Sequence, residues 1–528
     1  MYKILISDKL AQEGVDILNS IDGVEPVVNT GLSEDELCEI IGEYDGLIIR
    51  SATTVSEKVL AAATKLKAVA RAGVGVDNIN IPEATRKGVI VMNTPGGNTT
   101  SAAEHTMALM LSLSRNVVPA CNSLKAGAWD RKKYTGNQLC GKTLGVIGMG
   151  RIGMSVVKMA LGFDMKIMGY DPFAVPEKAK EMGVQVVTDL NEIYKTADYI
   201  SLHIPRNEQT TNMIGAEQFK MMKPTARIVN CARGGIINEP DLYAALEAGE
   251  IAGAALDVFP KEPPTETGFT KHDNCLVTPH LGASTEEAQI EVAVEAAQII
   301  ADAIKGGPIR NALNAPAVGA ATPKVVTGYA ELAQKIGRLM AATIVGPVKS
   351  VQVDYRGSIA EKDISAVTTA FSIGLLQANL DVPVNIVNVG LLAKERGITI
   401  DELKNADSKD IASSFTAQVA TDKGTRSITG TVYSEGVARI VSIDGYMVEF
   451  SPEGPVMVIF NDDKPGVIGS VGTVCGQHGV NICTMGVGQK TDGTAVLAVS
   501  LDKKPGEEAI AQMKKLDFVN ELYTCDLC

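Results

Sequence analysis

The chain has 528 residues, 45% of them apolar and 21% charged, and its formal net charge at pH 7 is −13. These values predict a globular protein of about three or four domains, and the acidic excess argues against a nucleic-acid-binding surface, so any anion site must be a local group of arginines. No segment approaches a membrane span, the N-terminus does not read as a signal peptide, and nine cysteines are scattered without framework spacing. We therefore expect a cytoplasmic protein with no membrane contact and no metal site.

Residues 1–98 alternate short apolar runs with helical segments, which is typical of a parallel α/β domain. After the third apolar run comes the sequence RAGVGVDN, which resembles a nucleotide-binding glycine motif but has Asn78 at the third glycine position. We interpret it as a backbone loop that lines a cleft. The predicted strands are Lys3–Ile6, Leu47–Arg50, Ala68–Arg71 and Val89–Met92.

Two segments with Ser-x-x-Glu spacing, Ser101–Glu104 and Ser284–Glu287, predict capped helices that end near Val118 and Ile304. These helices would carry the chain out of the first domain and back into it. Residues 1–98 and 284–315 are then expected to form one domain, with 99–283 inserted in it. Such paired crossings indicate a hinge, with the active site in the cleft between the two domains.

The sequence TLGVIGMGRIG, residues 143–153, places a predicted strand, three glycines and a predicted helix in the order that indicates dinucleotide binding. Gly148 would make the tight turn, Gly150 would let the backbone approach a pyrophosphate, and Gly153 would let helix and strand pack closely. The helix N-terminus would supply free N–H groups for the phosphates.

The next predicted strand ends in Asp171, 18 residues after Gly153. A carboxylate there can accept hydrogen bonds from the adenosine ribose and would repel a 2′-phosphate, so NAD is expected rather than NADP. The alternative is that Asp171 merely ends the strand before Pro172.

Residues 316–452 predict an α+β domain, with a helix at Tyr329–Ala342, a strand at Val348–Tyr355 and hairpins at 413–433 and 437–450. Residues 453–528 predict the element order βαββαβ, which is the ferredoxin-like arrangement.

Oxidation of a hydroxyl group by NAD requires a base for the hydroxyl proton, and histidine is the usual choice. Of five histidines, His280 is the best candidate because it ends the apolar run CLVTP, and ligands bind at the carboxyl ends of strands in open α/β sheets. His203 either lines the cofactor cleft or packs, and His105 reads as structural. His272 and His478 lie in a polar loop and in the last domain.

Two further charged residues follow predicted strands of the same domain. Arg233, in CARGG, could grip a carboxylate bidentately, and Glu262, in KEPP, could orient an imidazole. Each alone is more often a surface ion-pair residue. Their occurrence at successive strand ends favours a catalytic group made of Arg233, Glu262 and His280.

The motifs GMGRIG, CARGG, KEPP and PHLGAST, in this order and spacing, resemble those of the D-isomer-specific 2-hydroxyacid dehydrogenases. The chain's length and last two domains resemble the long 3-phosphoglycerate dehydrogenase branch, which uses NAD to oxidise 3-phosphoglycerate to 3-phosphohydroxypyruvate in the first step of L-serine biosynthesis. The resemblance implies a Rossmann-type NAD domain inserted in a flavodoxin-like substrate domain, an α+β intervening domain and a C-terminal ferredoxin-like ACT domain.

The resemblance also implies roles for individual residues. Arg233 would bind the substrate carboxylate and carbonyl oxygen, His280 would be the acid/base and Glu262 its partner. Beyond the three glycines, the implied NAD-binding residues are Arg151, Ile152, Asp171, Ile204, Cys231, Asp257 and Gly282. The implied substrate-binding residues are Arg50, Arg71, Gly73, Val74, Gly75 and Arg131, of which Arg131 is equally well read as a structural ion-pair residue.

In ACT domains of this family a serine effector binds between neighbouring subunits. The matching residues here are Asn461, Asp463 and Asn481, which otherwise read as turn residues. The resemblance further implies a homotetramer.

The sequence is also compatible with two other functions. One is the reduction of glyoxylate or hydroxypyruvate by a related D-2-hydroxyacid dehydrogenase, although such chains generally stop near residue 315. The other is a non-catalytic NAD-sensing corepressor, which the ACT-like domain and the lack of a basic face disfavour.

Overall fold

A computed structural model describes residues 1–173, 177–264, 268–316, 323–380, 382–407, 411–433 and 436–527. The first sheet has five parallel strands in the flavodoxin-like order β2-β1-β3-β4-β5. Its strands are β1 (Tyr2–Ile6), β2 (Val24–Val28), β3 (Gly46–Ile49), β4 (Ala68–Arg71) and β5 (Ile90–Asn93), and its helices are α1 (Gln12–Ser20), α2 (Glu34–Ile40), α3 (Glu57–Ala62) and α4 (Ile81–Arg86).

Strand β2 is not among the strands predicted from the sequence. Its segment VEPVV carries Pro26 and is only partly buried, because β2 lies at the edge of the sheet. Proline cannot donate to a strand ladder and is therefore tolerated at such an edge.

The chain leaves this sheet through α5 (Thr99–Ser114) and α6 (Val117–Lys125) and enters a second parallel sheet. The seven strands of that sheet follow the Rossmann-type order β12-β11-β10-β9-β6-β7-β8. They are β6 (Thr143–Ile147), β7 (Lys166–Tyr170), β8 (Gln185–Val186), β9 (Tyr199–Leu202), β10 (Arg227–Asn230), β11 (Gly253–Leu256) and β12 (Cys275–Val277), with helices α7 (Arg151–Leu161), α8 (Glu177–Glu181), α9 (Leu190–Thr196), α10 (Ala216–Met221) and α11 (Glu239–Glu247).

Helix α12 (Glu286–Ile304) returns to the first sheet, where Val292, Ala296 and Ile300 pack in one buried cluster with Ile4 and Ile6 of β1. In sequence, the second sheet therefore lies between β5 and α12, and α12 packs on the first sheet.

The two predicted capping boxes are wrong. Helix α12 is capped by Thr285, whose side chain accepts a hydrogen bond from the Ala288 N–H, and not by Ser284. Helix α5 starts at Thr99, so Ser101 lies inside it. The Ser101 Oγ atom is instead 2.7 Å from Thr285 Oγ1, which joins the first turns of the two crossing helices.

The third sheet has the strand order β14-β13-β15-β16-β17-β18, in which β13 and β14 are parallel and the other pairs antiparallel. Helices α13 and α14 share a buried cluster with it. The elements are α13 (Lys324–Thr343), β13 (Val348–Gly357), α14 (Ser365–Gln377), α15 (Val389–Glu395), β14 (Thr399–Asn405), β15 (Ser413–Thr421), β16 (Thr425–Val432), β17 (Ala438–Ile443) and β18 (Tyr446–Phe450).

The fourth sheet is antiparallel in the order β20-β21-β19-β22, with the ferredoxin-like succession of elements that the sequence predicted. Arg426 of β16 connects it to the third sheet, because its guanidinium donates to Asp444 at 2.6 Å and to Glu521 at 2.8 Å. The elements are β19 (Pro455–Asp462), α16 (Val467–Gln477), β20 (Ile482–Gln489), β21 (Thr494–Leu501), α17 (Glu507–Lys514) and β22 (Val519–Asp526). Within the described residues no helix is both long and apolar enough to cross a membrane.

Candidate active site

A cleft of about 520 Å³ lies where loops of the first and second sheets meet. Loops after β3 and β4 line one side, and loops after β9, β10, β11 and β12 line the other, so both sheets present their carboxyl ends to it. This is the edge at which open α/β sheets bind ligands. The charged and polar side chains in its lining include Arg50, Arg71, Asp77, Asn98, Arg206, Arg233, Glu262 and His280.

His280 and Glu262 form a hydrogen-bonded pair in this cleft, with 2.7 Å between Nδ1 and Oε2. The His280 side chain is 47% exposed and that of Glu262 38%, so a ligand can reach the imidazole. The other Glu262 oxygen accepts a hydrogen bond from the Phe259 N–H at 3.1 Å, which fixes the carboxylate. The pair leaves the imidazole Nε2 free to accept or give a proton.

The backbone at His280 has φ +55°, a left-handed conformation that non-glycine residues adopt at a cost and that clusters at active sites. Buried Asp257 holds the loop in this shape. Its carboxylate accepts hydrogen bonds from the N–H groups of Leu281 and Gly282 and from the Thr278 hydroxyl, at 2.6–2.8 Å.

Burial acts to raise the pKa of Asp257, but the hydrogen bonds outweigh burial and hold the pKa below its usual value. The His105 ring also shares a hydrogen bond with Asp257, at 3.2 Å, which agrees with a structural reading of His105. Asp257 and Gly282, expected to bind cofactor, here shape the loop that carries His280.

Arg233 reaches across the cleft from the second sheet to the loop that follows β4. Its Nε donates to Asp77 Oδ2 at 3.0 Å, and its Nη1 donates to the Ala232 carbonyl at 2.6 Å. A Cβ atom at Gly75 would lie only 1.5 Å from Arg233 Nη2. Residues 73–75 are therefore a backbone loop at the cleft, as the sequence predicted, and Gly75 is glycine because a guanidinium lies against it.

Arg50 and Arg71 also line the cleft. Burial, reinforced by the neighbouring Arg233 cation, lowers the pKa of Arg71 to about 10, so the side chain remains cationic at neutral pH. Its Nε has no hydrogen-bond partner in the described part of the chain, and Gly73 leaves room for its Nη1. Arg131 is exposed in a turn beyond α6 and does not line this cleft.

The glycine turn after β6 has the geometry that its motif predicts. Gly148 has φ +97°, and a Cβ there would lie 2.5 Å from the His203 carbonyl oxygen. A Cβ at Gly153 would lie 2.0 Å from the Gly148 carbonyl oxygen, whereas Gly150 has no neighbouring atom within 4 Å of a Cβ position. The turn is thus closely packed on one side and open at Gly150.

Asp171 lies beside this turn, where its Oδ2 accepts a hydrogen bond from the Met149 N–H at 2.9 Å. A separate groove of about 450 Å³ is lined by Tyr170, Asp171 and Lys180, among others. The open backbone at Gly150, the carboxylate at the end of β7 and this groove fit the phosphates, ribose and adenine of a dinucleotide.

The other residues that were predicted to bind the cofactor do not all lie at the glycine turn. Ile204 lies against Gly148, and the Arg151 guanidinium points towards Gly96 at the start of the crossing region. Ile152 packs in the apolar cluster beside α7. Burial raises the pKa of the Cys231 thiol to about 12, and burial lowers the pKa of His203 to about 4, so neither is charged at neutral pH.

Three cleft residues with charged or amide side chains were not predicted as site residues from the sequence: Asp77, Asn98 and Arg206. Arg206 follows β9 at the same sheet edge as Arg233, and that position was the signal for it. Asp77 lies within the glycine loop already singled out. Asn98 precedes α5, and its Oδ1 is buried without a hydrogen-bond partner in the described residues.

A second, smaller cavity of about 200 Å³ lies in the last domain, at the N-terminus of α16. Asn461 and Asp463 both line it; Asn461 is only 2% exposed, and its Oδ1 has no partner among described residues. Asp463 accepts a hydrogen bond from Gln489 at 3.1 Å. Asn481 is not in this lining, and its N–H donates to Asp502 instead.

Comparison with known families gives two matches. Residues 107–282 match the D-isomer-specific 2-hydroxyacid dehydrogenase NAD-binding domain, and residues 325–444 match the D-3-phosphoglycerate dehydrogenase intervening domain. The chain is 42% identical over 529 residues to a D-3-phosphoglycerate dehydrogenase of Synechocystis, covering 100% of this chain and 95% of the relative. It is 42% identical to that of Methanocaldococcus jannaschii, covering 100% of both chains.

Two solved structures match part of the chain. An NAD⁺-bound 3-phosphoglycerate dehydrogenase of Entamoeba histolytica is 30% identical with a TM-score of 0.51, covering 59% of this chain and 98% of that one. A glyoxylate reductase of Paecilomyes thermophila is 27% identical with a TM-score of 0.55, covering 59% of this chain and 98% of that one. The matched part of the fold is therefore shared by enzymes whose names give different substrates.

Proposed function

This chain belongs to the D-3-phosphoglycerate dehydrogenase family, within the D-isomer-specific 2-hydroxyacid dehydrogenases, and we propose that it oxidises 3-phospho-D-glycerate to 3-phosphohydroxypyruvate with NAD in the first step of L-serine biosynthesis. Full-length identity of about 40% to relatives of that name supports this. The observation that carries the proposal is the convergence of Arg233, Glu262 and His280 on one cleft.

The residues around the glycine turn suit NAD. Gly148 and Gly153 let the turn pack closely, Gly150 leaves backbone open for a pyrophosphate, and Asp171 disfavours the 2′-phosphate of NADP. NAD held there would supply the acceptor for the hydride that leaves C2 of the substrate. We assign Arg151, Ile152, Ile204, Cys231, Asp257 and Gly282 to the cofactor side of the site, where Asp257 and Gly282 act through the His280 loop.

Arginines on both sides of the cleft suit a substrate with a carboxylate at one end and a phosphate at the other. We assign the carboxylate and the C2 oxygen to Arg233, because a guanidinium can bind planar oxygen pairs bidentately. Arg50 and Arg71 would bind the phosphate, with the backbone of Gly73, Val74 and Gly75 between the two ends. Arg131 lies outside the cleft, so its proposed phosphate contact requires a neighbouring subunit.

His280 would take the hydroxyl proton at Nε2 as the hydride leaves. The Glu262 carboxylate accepts the Nδ1 proton, which selects the tautomer whose Nε2 is unprotonated, and its negative charge stabilises the imidazolium that forms. Closure of the cleft around the substrate would exclude water and strengthen these interactions.

The four arginines of the cleft favour a phosphorylated substrate over glyoxylate or hydroxypyruvate, whose single carboxylate needs fewer cations. They and the His280–Glu262 pair also favour an enzyme over a corepressor that only senses NAD. We further propose a cytoplasmic homotetramer; the eight described cysteines are all free thiols, which is typical of a reducing compartment.

We also propose that the last domain is an ACT domain that binds serine through Asn461 and Asp463. The unpartnered Oδ1 of Asn461 and the Asp463 carboxylate can accept from an ammonium group, and the N-terminus of α16 favours a carboxylate. Asn481 lies outside this cavity in one chain and would contribute only from a neighbouring subunit.

A steady-state assay tests the function directly. We expect NADH formation with 3-phosphoglycerate and NAD, a much lower kcat/KM with NADP, and a lower kcat/KM with D-glycerate or for the reduction of glyoxylate. A higher kcat/KM for an unphosphorylated substrate would overturn the substrate assignment, and a complete lack of turnover would favour the corepressor.

A further inference from the structure

Arg206 is an arginine of the cleft that has no assigned role. It follows β9 on the second sheet, and its aliphatic stem lies over the turn that comes directly after Arg233. A Cβ atom at Gly235 would be 3.3 Å from Arg206 Cδ and 3.4 Å from its Nη1, and the ring of Pro260 lies beside the same position. The stem is therefore packed, while the residue as a whole is exposed to the cleft.

The guanidinium of Arg206 has no hydrogen bond or ion pair within the part of the chain that the structure describes. Each of the other three cleft arginines either has a hydrogen-bond partner or is less exposed than Arg206. Arg233 is paired with Asp77, Arg71 is half-buried whereas Arg206 is exposed, and Arg50 donates to the Lys9 carbonyl at 3.4 Å. Arg206 is thus a positioned cation whose charge is not used inside the molecule.

The proposed substrate carries enough negative charge to bind a further cation. A phosphate monoester carries a charge of about −1.5 to −2 at neutral pH in addition to the carboxylate. Arg233 must serve the carboxylate end, because C2 has to lie beside His280. Arg50 and Arg71 approach the phosphate end only from the first sheet.

We propose that Arg206 binds the substrate phosphate from the second sheet, opposite Arg50 and Arg71, so that the phosphate bridges the two sides of the cleft. The inference rests on the proposed function. The cofactor pyrophosphate is a poorer partner for Arg206, because Gly148, Gly150 and Gly153 do not line the cavity that contains it. The phosphate would then select the substrate and hold the cleft closed around it.

The test compares Arg206→Ala with Arg206→Lys and with the control Arg310→Ala, which removes a surface arginine that is paired with Asp302. The KM for 3-phosphoglycerate and for NAD is measured in each. Competitive inhibition by glycerol 3-phosphate and by D-glycerate separates the phosphate end from the carboxylate end without requiring that either be turned over.

We expect Arg206→Ala to raise the KM for 3-phosphoglycerate and the Ki of glycerol 3-phosphate about 10- to 100-fold, the effect of losing a charged hydrogen bond. The Ki of D-glycerate and the KM for NAD should stay within about twofold in the same variant. Arg206→Lys should recover part of the loss, and Arg310→Ala should behave like the wild-type enzyme.

Three results would overturn the inference: unchanged constants for 3-phosphoglycerate, equal changes for the phosphorylated and unphosphorylated inhibitors, or a rise confined to the KM for NAD. Failure of the proposed function is recognised separately in the wild-type enzyme, which would then show no turnover or a higher kcat/KM for an unphosphorylated substrate.

Discussion

The Nδ1 atom of His280 lies 2.7 Å from the Oε2 atom of Glu262, although the two residues are 18 positions apart and leave different strands. Because the Glu262 carboxylate can only accept a hydrogen bond there, it fixes which imidazole nitrogen carries the proton. With the proton on Nδ1, Nε2 is left to accept the hydroxyl proton during oxidation.

Glu262→Gln tests this role of the carboxylate. The amide can keep the contact with the Phe259 N–H through its oxygen, but it then presents an N–H group to His280 and favours a proton on Nε2. We expect kcat for oxidation to fall by about 10²-fold or more, with the KM for NAD unchanged. A variant with a kcat within twofold of the wild type would show that Glu262 does not select the tautomer.

Gly75→Ala tests the position of Arg233. The new Cβ would lie 1.5 Å from Arg233 Nη2, so the guanidinium must move. It could then no longer bind the substrate carboxylate bidentately. We expect kcat/KM for 3-phosphoglycerate to fall about 10- to 100-fold. Gly390→Ala in α15, where nothing lies within 4 Å of the Cβ position, is the matched control and should leave the kinetics unchanged. Normal kinetics in Gly75→Ala would remove Arg233 from the site as described.

Asp257 predicts a pH dependence of stability. Its pKa is lower in the folded protein than in the unfolded chain, so its contribution is fully present above the unfolded pKa of about 4 and is lost as the pH falls through the folded pKa. Asp257→Asn should lower the thermal midpoint at pH 7, by an amount that corresponds to about 1–3 kcal/mol.

The difference in midpoint between Asp257→Asn and the wild type should shrink below about pH 4, where the wild-type carboxyl also becomes protonated. Asp273→Asn changes an exposed carboxylate with no hydrogen bond in the described part of the chain and should not alter the midpoint. A difference that stays constant down to pH 2 would contradict the assignment.

Asp463→Ala tests the effector proposal. We expect serine to inhibit the wild-type enzyme and Asp463→Ala to be insensitive, with the same kcat in the absence of serine, because the cavity lies in a different domain from the cleft. Asp492→Ala changes a turn carboxylate of the same domain and should keep inhibition. Wild-type activity that stays flat up to millimolar serine would refute feedback by this ligand.

The parts of the fold that follow from local periodicity were predictable. The strand at Ala68–Arg71 was predicted with the bounds that the structure shows, because it begins with a short apolar run that ends at a charged residue. The starts of the helices at residues 99 and 286 were not predicted correctly, since capping depends on which hydroxyl faces the free N–H groups. Ser101 does not cap a helix, and its hydroxyl contacts Thr285 instead.

The candidate site shows a similar division. His280, Glu262 and Arg233 could be found because each lies in a loop that follows a strand of the second sheet. Asp77, in the glycine loop, and Arg206, after β9, lie at positions that the sequence could have indicated. Their roles could not be assigned, since these depend on contacts across the cleft and around Gly235 that no sequence spacing encodes. Asp257 could not be recognised as the support of the His280 loop for the same reason.

The most direct test of the proposed mechanism is the kcat of His280→Ala with 3-phosphoglycerate and saturating NAD, measured as NADH formation beside the wild-type enzyme. The mechanism predicts a loss of roughly 10²–10⁴-fold with the KM for NAD unchanged, because a positioned acid/base contributes that much. A His280→Ala enzyme that turns over at nearly the wild-type rate would contradict it.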